Sequence, residues 1–258
     1  MDETAQREIL RLLHVQSRDY VAPLYWGTDP YNAATILHNA SCFFLEIGAH
    51  RFGVTANHVI AAYQEARARH PNVHFVIRNT IFDDIEAQAI DADTAIDVFT
   101  FSVTEQQFAE IAAKPYKSAP KHWPPAPPQA DRGVVMTGYA EAGRTVLGKK
   151  AVEFEQSSNT LVAAAVERDK IEIQVQREHL RPLGTEQIPS MTLNLSGFSG
   201  SPLWTVEARP HELFRFGGVV LHQFPARTED ERNVIFARRA ECIRADGTLD
   251  RDYTTRRT

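Results

Sequence analysis

Gly197-Phe198-Ser199-Gly200-Ser201-Pro202 is the stretch that decides the fold. A serine with glycine two positions before and one after is rarely required for packing alone. The glycines open backbone angles that other residues resist and keep bulk away from the hydroxyl. On such a turn the N–H groups of Gly197 and Ser199 can converge on one point outside the chain, the arrangement that stabilises a developing oxyanion. A serine hydroxyl is a poor nucleophile at neutral pH, so it needs a base within hydrogen-bond reach and a third group that orients the base. Such a serine therefore calls for a histidine and an acid elsewhere in the chain.

Arg51 to Val59 is an apolar, strand-like run ending in Thr55-Ala56-Asn57-His58. Downstream, Asp97 heads the apolar, β-branched and aromatic segment Val98 to Val103. Asp91 and Asp93 are rivals for the acid, but neither directly heads that segment. The order His58, Asp97, Ser199 leaves room for several short strands between each pair. An α/β-hydrolase elbow, the other common serine-hydrolase arrangement, needs a fifth-position glycine and then an acid and a histidine after the nucleophile. Here Ser201 occupies the fifth position. His211 and His222 follow Ser199 with no aspartate ahead of either, so that reading fails on order.

The three segments together resemble the trypsin/chymotrypsin-like serine proteases. The Ser199 turn is similar to their GDSGGP or GxSGSP turn, Thr55 to His58 to their TAxH, and Asp97-Val98-Phe99-Thr100 to their D-[IV]-A-[LF], with Phe99 in place of the small residue. Ser41 to Glu46 followed by Phe52 to Val59 looks like GTGFxL…VTAxHV of bacterial trypsin-like peptidases. Val134 to Tyr139 looks like the strand opening their second barrel, and Gly218 to His222 like the GIVSWG strand backing the cleft.

The resemblance implies an all-β fold with minor helices: two six-stranded antiparallel β-barrels and an active site in the cleft between them. It also implies a serine endopeptidase with Ser199 as nucleophile, His58 as base, Asp97 as orienter, and Gly197 and Ser199 N–H groups as oxyanion hole. Leu193 and His222 fall at substrate-pocket positions; Leu193 argues against an acidic pocket floor, and a partly buried structural histidine is the plainer reading of His222. Phe198 replaces the aspartate that pairs with a freshly cut N-terminus in trypsin-type zymogens, so activation of that kind is not expected. Deg/HtrA-type proteases also lack that aspartate. The alternative reading is a protease-fold binding or scaffold module, inactive or assembled only by a regulatory protein partner. An esterase on the same fold uses identical residues.

With 258 residues, 43% hydrophobic and 24% charged, the chain has the make-up of a globular protein with a sizeable core. A net charge of −5 with no basic stripe argues against nucleic-acid binding, and no apolar run is long enough to span a membrane. The first residues lack a signal-peptide apolar region. Cys42 and Cys242 make no disulfide framework, which suits a reducing, cytoplasmic setting. No cofactor is suggested, and no metal-ligand spacing is present.

Expected organisation is an N-terminal helical extension over 1–19, barrel one over 20–113, a proline-rich linker over 114–130, barrel two over 131–245 and a frayed tail over 246–258. Six prolines between Pro115 and Pro128 are incompatible with a sheet interior and read as a semi-rigid connection. Phe236 to Arg244 reads equally as a strand or a terminal helix.

Overall fold

A computed structural model describes residues 3–29, 35–147, 151–175, 196–209, 212–224 and 233–253. Among these, the chain is mostly β. It opens with helix α1 (Glu3–Arg18).

The first sheet is built from β1 (Val21–Gly27), β2 (Ile36–Ile47), β3 (His50–Ala56), β4 (His74–Ile77), β5 (Thr80–Phe82), β6 (Ala89–Asp93), β7 (Val98–Ser102) and β8 (Tyr116–Ser118). Its order is β5-β4-β1-β2-β3-β7-β6, with β8 beside the far end of β2. β1 pairs antiparallel with Ile36 to Phe43, and β8 takes over in parallel along Leu45 to Ile47. This sheet curls around a core of fully buried rings, among them Phe43, Phe44, Phe52, Phe75, Phe82 and Phe101. It has eight strands and does not close among the described residues. Helix α2 (Asn57–Arg69) follows β3, and the short helix α3 (Glu105–Ile111) follows β7 behind a Thr104–Gln107 capping box.

The second sheet closes. β9 (Gly133–Leu147), β10 (Ala151–Val166), β11 (Ile171–Val175), β12 (Pro202–Arg209), β13 (Glu212–Phe224) and β14 (Asn233–Arg239) run in the order β10-β11-β14-β13-β12-β9, and β9 returns to β10. Alternate residues face inward, as the buried–half-buried alternation of β11 shows. They fill the barrel with Val134, Met136, Ile173, Leu203, Val220 and Ile235. The fold thus pairs one closed six-stranded barrel with one curled half-barrel sheet, consistent with the expected chymotrypsin-like double barrel.

Three expectations change. Tyr116 to Ser118, inside the supposed linker, is a strand: its only neighbouring proline, Pro115, precedes the paired residues, so no ladder N–H is missing. Trp123, farther along, stacks on Phe216 with centroids 5.8 Å apart and donates from Nε1 to the Ile243 carbonyl. The segment is a packed seam rather than a spacer. Phe236 to Arg244 resolves into the end of β14 followed by one 3₁₀ turn, Ala240–Cys242. The tail docks through Arg251 and a buried Tyr253 instead of fraying; residues 254–258 lie outside the described part.

α1 sits against the second barrel, although it adjoins the first in sequence. His14 Nε2 meets Thr160 Oγ1 at 2.7 Å, and Ser17 Oγ, itself fully buried, meets Thr137 Oγ1 at 2.6 Å. Burial, and secondarily the Arg18 charge, push His14 down to about 4 from 6.5. Between these values the unfolded chain binds a proton that the folded chain refuses. The contribution of His14 is therefore complete above about pH 6.5 and is lost as pH falls towards 4. The melting temperature is expected to drop from pH 7 to pH 5 more steeply in the wild type than in His14→Asn. Equal slopes in the two proteins would remove this role.

Candidate active site

β3 delivers His58. The strand ends at Ala56, and His58 is the second residue of α2, where backbone N–H groups lack partners within the helix. Ala56 offers no capping side chain, and Asp97 takes that role from across the sheet. Its main-chain oxygen accepts from Asn57 N–H at 3.1 Å and its Oδ1 from His58 N–H at 2.9 Å. Its Oδ2 lies 2.8 Å from His58 Nδ1. A carboxylate only accepts, so Nδ1 carries the proton and Nε2 remains as the basic ring atom. The His58 side chain is 43% exposed and that of Asp97 is 18% exposed, so the imidazole can be reached from outside while its partner is shielded.

Asp97 does not begin the strand as the pattern predicts. It is the last residue of the turn before β7, in the left-handed region with φ of 61°. Aspartate tolerates that region better than most residues, and here it lets the main chain and the side chain both face α2. Asp91 and Asp93, the rival acids, are occupied elsewhere. Asp91 accepts from Leu249 N–H and Arg251, and Asp93 from Arg251 and from the N–H groups of Ala95 and Ile96.

The Ser199 turn lies against the end of β3. A Cβ on Gly200 would come within 2.2 Å of Thr55 Oγ1 and 2.9 Å of Ala56 N, two residues before His58, and φ there is +83°. Gly197, at φ +97°, passes so close to Tyr139 that a Cβ would sit 2.2 Å from its carbonyl oxygen. Both glycines are thus demanded twice, by conformation and by space.

The turn's internal bonds orient its peptides. Ser196 carbonyl accepts from Glu141 N–H, and Phe198 carbonyl accepts from Ser201 N–H at 2.9 Å. In a trans peptide the N–H points opposite to the preceding carbonyl. The Gly197 and Ser199 N–H groups are therefore each turned away from those anchors. Among the described residues neither donates to a protein acceptor. Of the turn's two serines, Ser201 is fully buried and Ser199 half-buried, so Ser199 is the one open to a substrate.

Ser41 is the residue that sequence reasoning missed. Fully buried, it donates from N to Ser199 O at 3.0 Å and from Oγ to Gly197 O at 2.8 Å, and its Oγ accepts from Tyr139 N–H. Thr55 Oγ1 donates to its carbonyl. One side chain ties the first sheet, the second barrel and the turn together, and a serine on a strand carries no local signal of such a role.

Phe198 is 1% exposed and belongs to the core of the second barrel, over Gly138, where a Cβ would be 2.8 Å from its ring. His222 is exposed on β13. Partial burial lowers its basicity first, and the charges of Asp97 and His58 both act on it, which puts it beside that pair. Leu193 lies outside the described residues. Among the described residues no group of three or more His, Cys, Asp or Glu side chains is placed to hold a metal ion.

No family model matches this chain. No curated protein matches it either. Among solved structures, one from a study of coupled folding and binding of the intrinsically disordered Sesbania mosaic virus VPg protein is similar at 12% identity and a TM-score of 0.42. That match covers 84% of this chain and 85% of the other. A thermostable serine protease from an extremophilic microorganism is similar at 10% identity and a TM-score of 0.44, over 86% of this chain and 91% of the other.

Proposed function

We propose that this chain is a serine endopeptidase, cutting peptide bonds of protein or peptide substrates through an acyl-enzyme. The observation that carries the reading is the Asp97 carboxylate bridging the backbone and the ring of His58, with the Ser199 turn packed against the same strand end. Ser199 Oγ attacks the carbonyl, and His58 Nε2 takes its proton and later returns it to the leaving amine. Asp97 holds the tautomer and stabilises the imidazolium. The Gly197 and Ser199 N–H groups receive the oxyanion, each donor being worth about 3–4 kcal/mol of barrier. With Phe198 in the barrel core, the turn is set without a cut N-terminus. The sequence position of Leu193 favours an apolar or small side chain at the cut, and His222, beside His58 and Asp97, is a second candidate for the substrate pocket. Two buried free thiols accord with a reducing compartment such as the cytoplasm.

A fluorophosphonate probe is expected to label the wild type at Ser199, confirmed by peptide mapping, and to leave Ser199→Ala and His58→Ala unlabelled. Labelling that persists in Ser199→Ala overturns the reading. A wild type that binds peptides yet neither labels nor hydrolyses them favours the scaffold alternative.

A further inference from the structure

We infer that Arg238, on the second barrel, is a positioning residue for Asp97. This rests on the protease reading of the site and adds to it a device that sets the acid. Arg238 lies on β14 with its side chain 14% exposed, and its guanidinium reaches out of its own barrel into the turn that ends at Asp97. Nε donates to the Ile96 carbonyl at 2.7 Å and Nη2 to the Ala95 carbonyl at 2.7 Å. Nη1 donates to the Asp169 carbonyl at 2.9 Å, with the Asp169 carboxylate 3.3 Å away. One planar fork thus fixes two consecutive carbonyls immediately before the acid and is itself fixed from behind by the β10–β11 connection.

The turn needs such a clamp. Asp97 is held in the left-handed region, which strains a non-glycine residue and persists only where the surroundings over-determine it. The N–H side of the turn is closed by Asp93, whose Oδ1 accepts from Ala95 and Ile96, while Arg251 of the docked tail holds its Oδ2 at 2.8 Å. The carbonyl side is closed by Arg238 alone among the described residues. Without it the Ala95 and Ile96 carbonyls lose their donors, and the turn is held from its N–H side only. Asp97 is then held only by its N–H bond to Asp93 O at 2.8 Å and by the Asn57 and His58 N–H groups, and the alignment of its carboxylate on His58 Nδ1 loosens. The bond also spans the two sheets, so the acid on one is aligned by the barrel that carries Ser199.

Arg238→Met, which keeps the length of the stem without the donors, is expected to lower kcat/KM for a cleaved peptide by about 10–100-fold, in kcat rather than KM, because the defect is one of alignment. The His58 Nδ1–H proton resonance, assigned by its loss in Asp97→Asn, is expected to broaden or disappear. Arg238→Lys keeps the charge but offers a compact point donor that cannot serve both carbonyls and Asp169, so it should fall between wild type and Met in both readouts. Wild-type rate and resonance in Arg238→Met overturn the inference, as does a rate loss with the resonance intact, since that is a structural effect not routed through Asp97. If Arg238→Met fails to fold, Arg238→Lys decides by the same two readouts. If the wild type hydrolyses nothing but its resonance vanishes in Arg238→Met, the positioning stands and the protease reading falls.

Discussion

Ser199→Ala is expected to reduce kcat for a cleaved peptide by about four to six orders of magnitude, with KM within about twofold, measured under single-turnover and steady-state conditions. The size follows from what the substitution removes. Without the hydroxyl there is no acyl-enzyme, and His58 has no nucleophile to deprotonate. What remains is binding plus whatever the Gly197 and Ser199 N–H groups lend to direct attack by water. The backbone of the turn is untouched, because Ser199 is anchored through its carbonyl to Ser41 N–H and not through the hydroxyl in any bond among the described residues. The variant should therefore fold and bind like the wild type.

The companion variants sharpen the reading. His58→Ala should cost nearly as much as Ser199→Ala, and the double variant no more than either, because the two act as a unit. Asp97→Asn should cost somewhat less, about four orders of magnitude, by stabilising the wrong imidazole tautomer. A Ser199→Ala enzyme that keeps its rate, or a double variant whose losses add, is incompatible with a shared nucleophile–base mechanism.

How far the site was legible in the sequence depends on how local each constraint is. The Ser199 turn announces itself because glycine is needed there twice over, at positive φ and at close approach to Thr55 and Tyr139. His58 is legible from the apolar run before it, and Asp97 from the run after it, although a turn residue was read as the strand's first. The edge strand Ala89–Asp93 was not legible at all: its small and acidic residues around a single Ile90 are exposed or only partly buried, so no period-two pattern survives. Ser41 and Arg238 stayed hidden for a different reason. Their partners lie 156 and 142 positions away, and nothing in a strand serine or a strand arginine marks which distant carbonyl it will hold. Asp91 and Asp93, the rival acids, are likewise engaged from a distance, by Arg251. Long-range polar bonds, rather than hydrophobic periodicity, are what sequence reading lacks here.

Phe198→Asp is expected to abolish the native fold of the second barrel at neutral pH. The substitution installs the residue that a trypsin-type turn carries, but in this chain the side chain points into a core of Val134, Met136, Leu203 and Val220. Losing a buried phenylalanine costs about 3–5 kcal/mol by itself. A carboxylate in its place must be desolvated without a cation to meet it, which adds several kcal/mol or forces its protonation. A domain of this kind has roughly 5–15 kcal/mol of stability in total, so the sum consumes most or all of it. The expected outcome is insoluble protein, or soluble protein without a cooperative transition in guanidinium chloride. Phe198→Leu, which keeps an apolar side chain over Gly138 and leaves only a small gap, should lose about 1–2 kcal/mol and retain both the transition and the activity. A stably folded Phe198→Asp protein with the wild-type midpoint would place this side chain outside the core and reopen activation through a cut N-terminus. A collapse confined to the aspartate variant instead ties the geometry of the Ser199 turn to hydrophobic packing, with the barrel core doing what an ion pair does in trypsin-type turns.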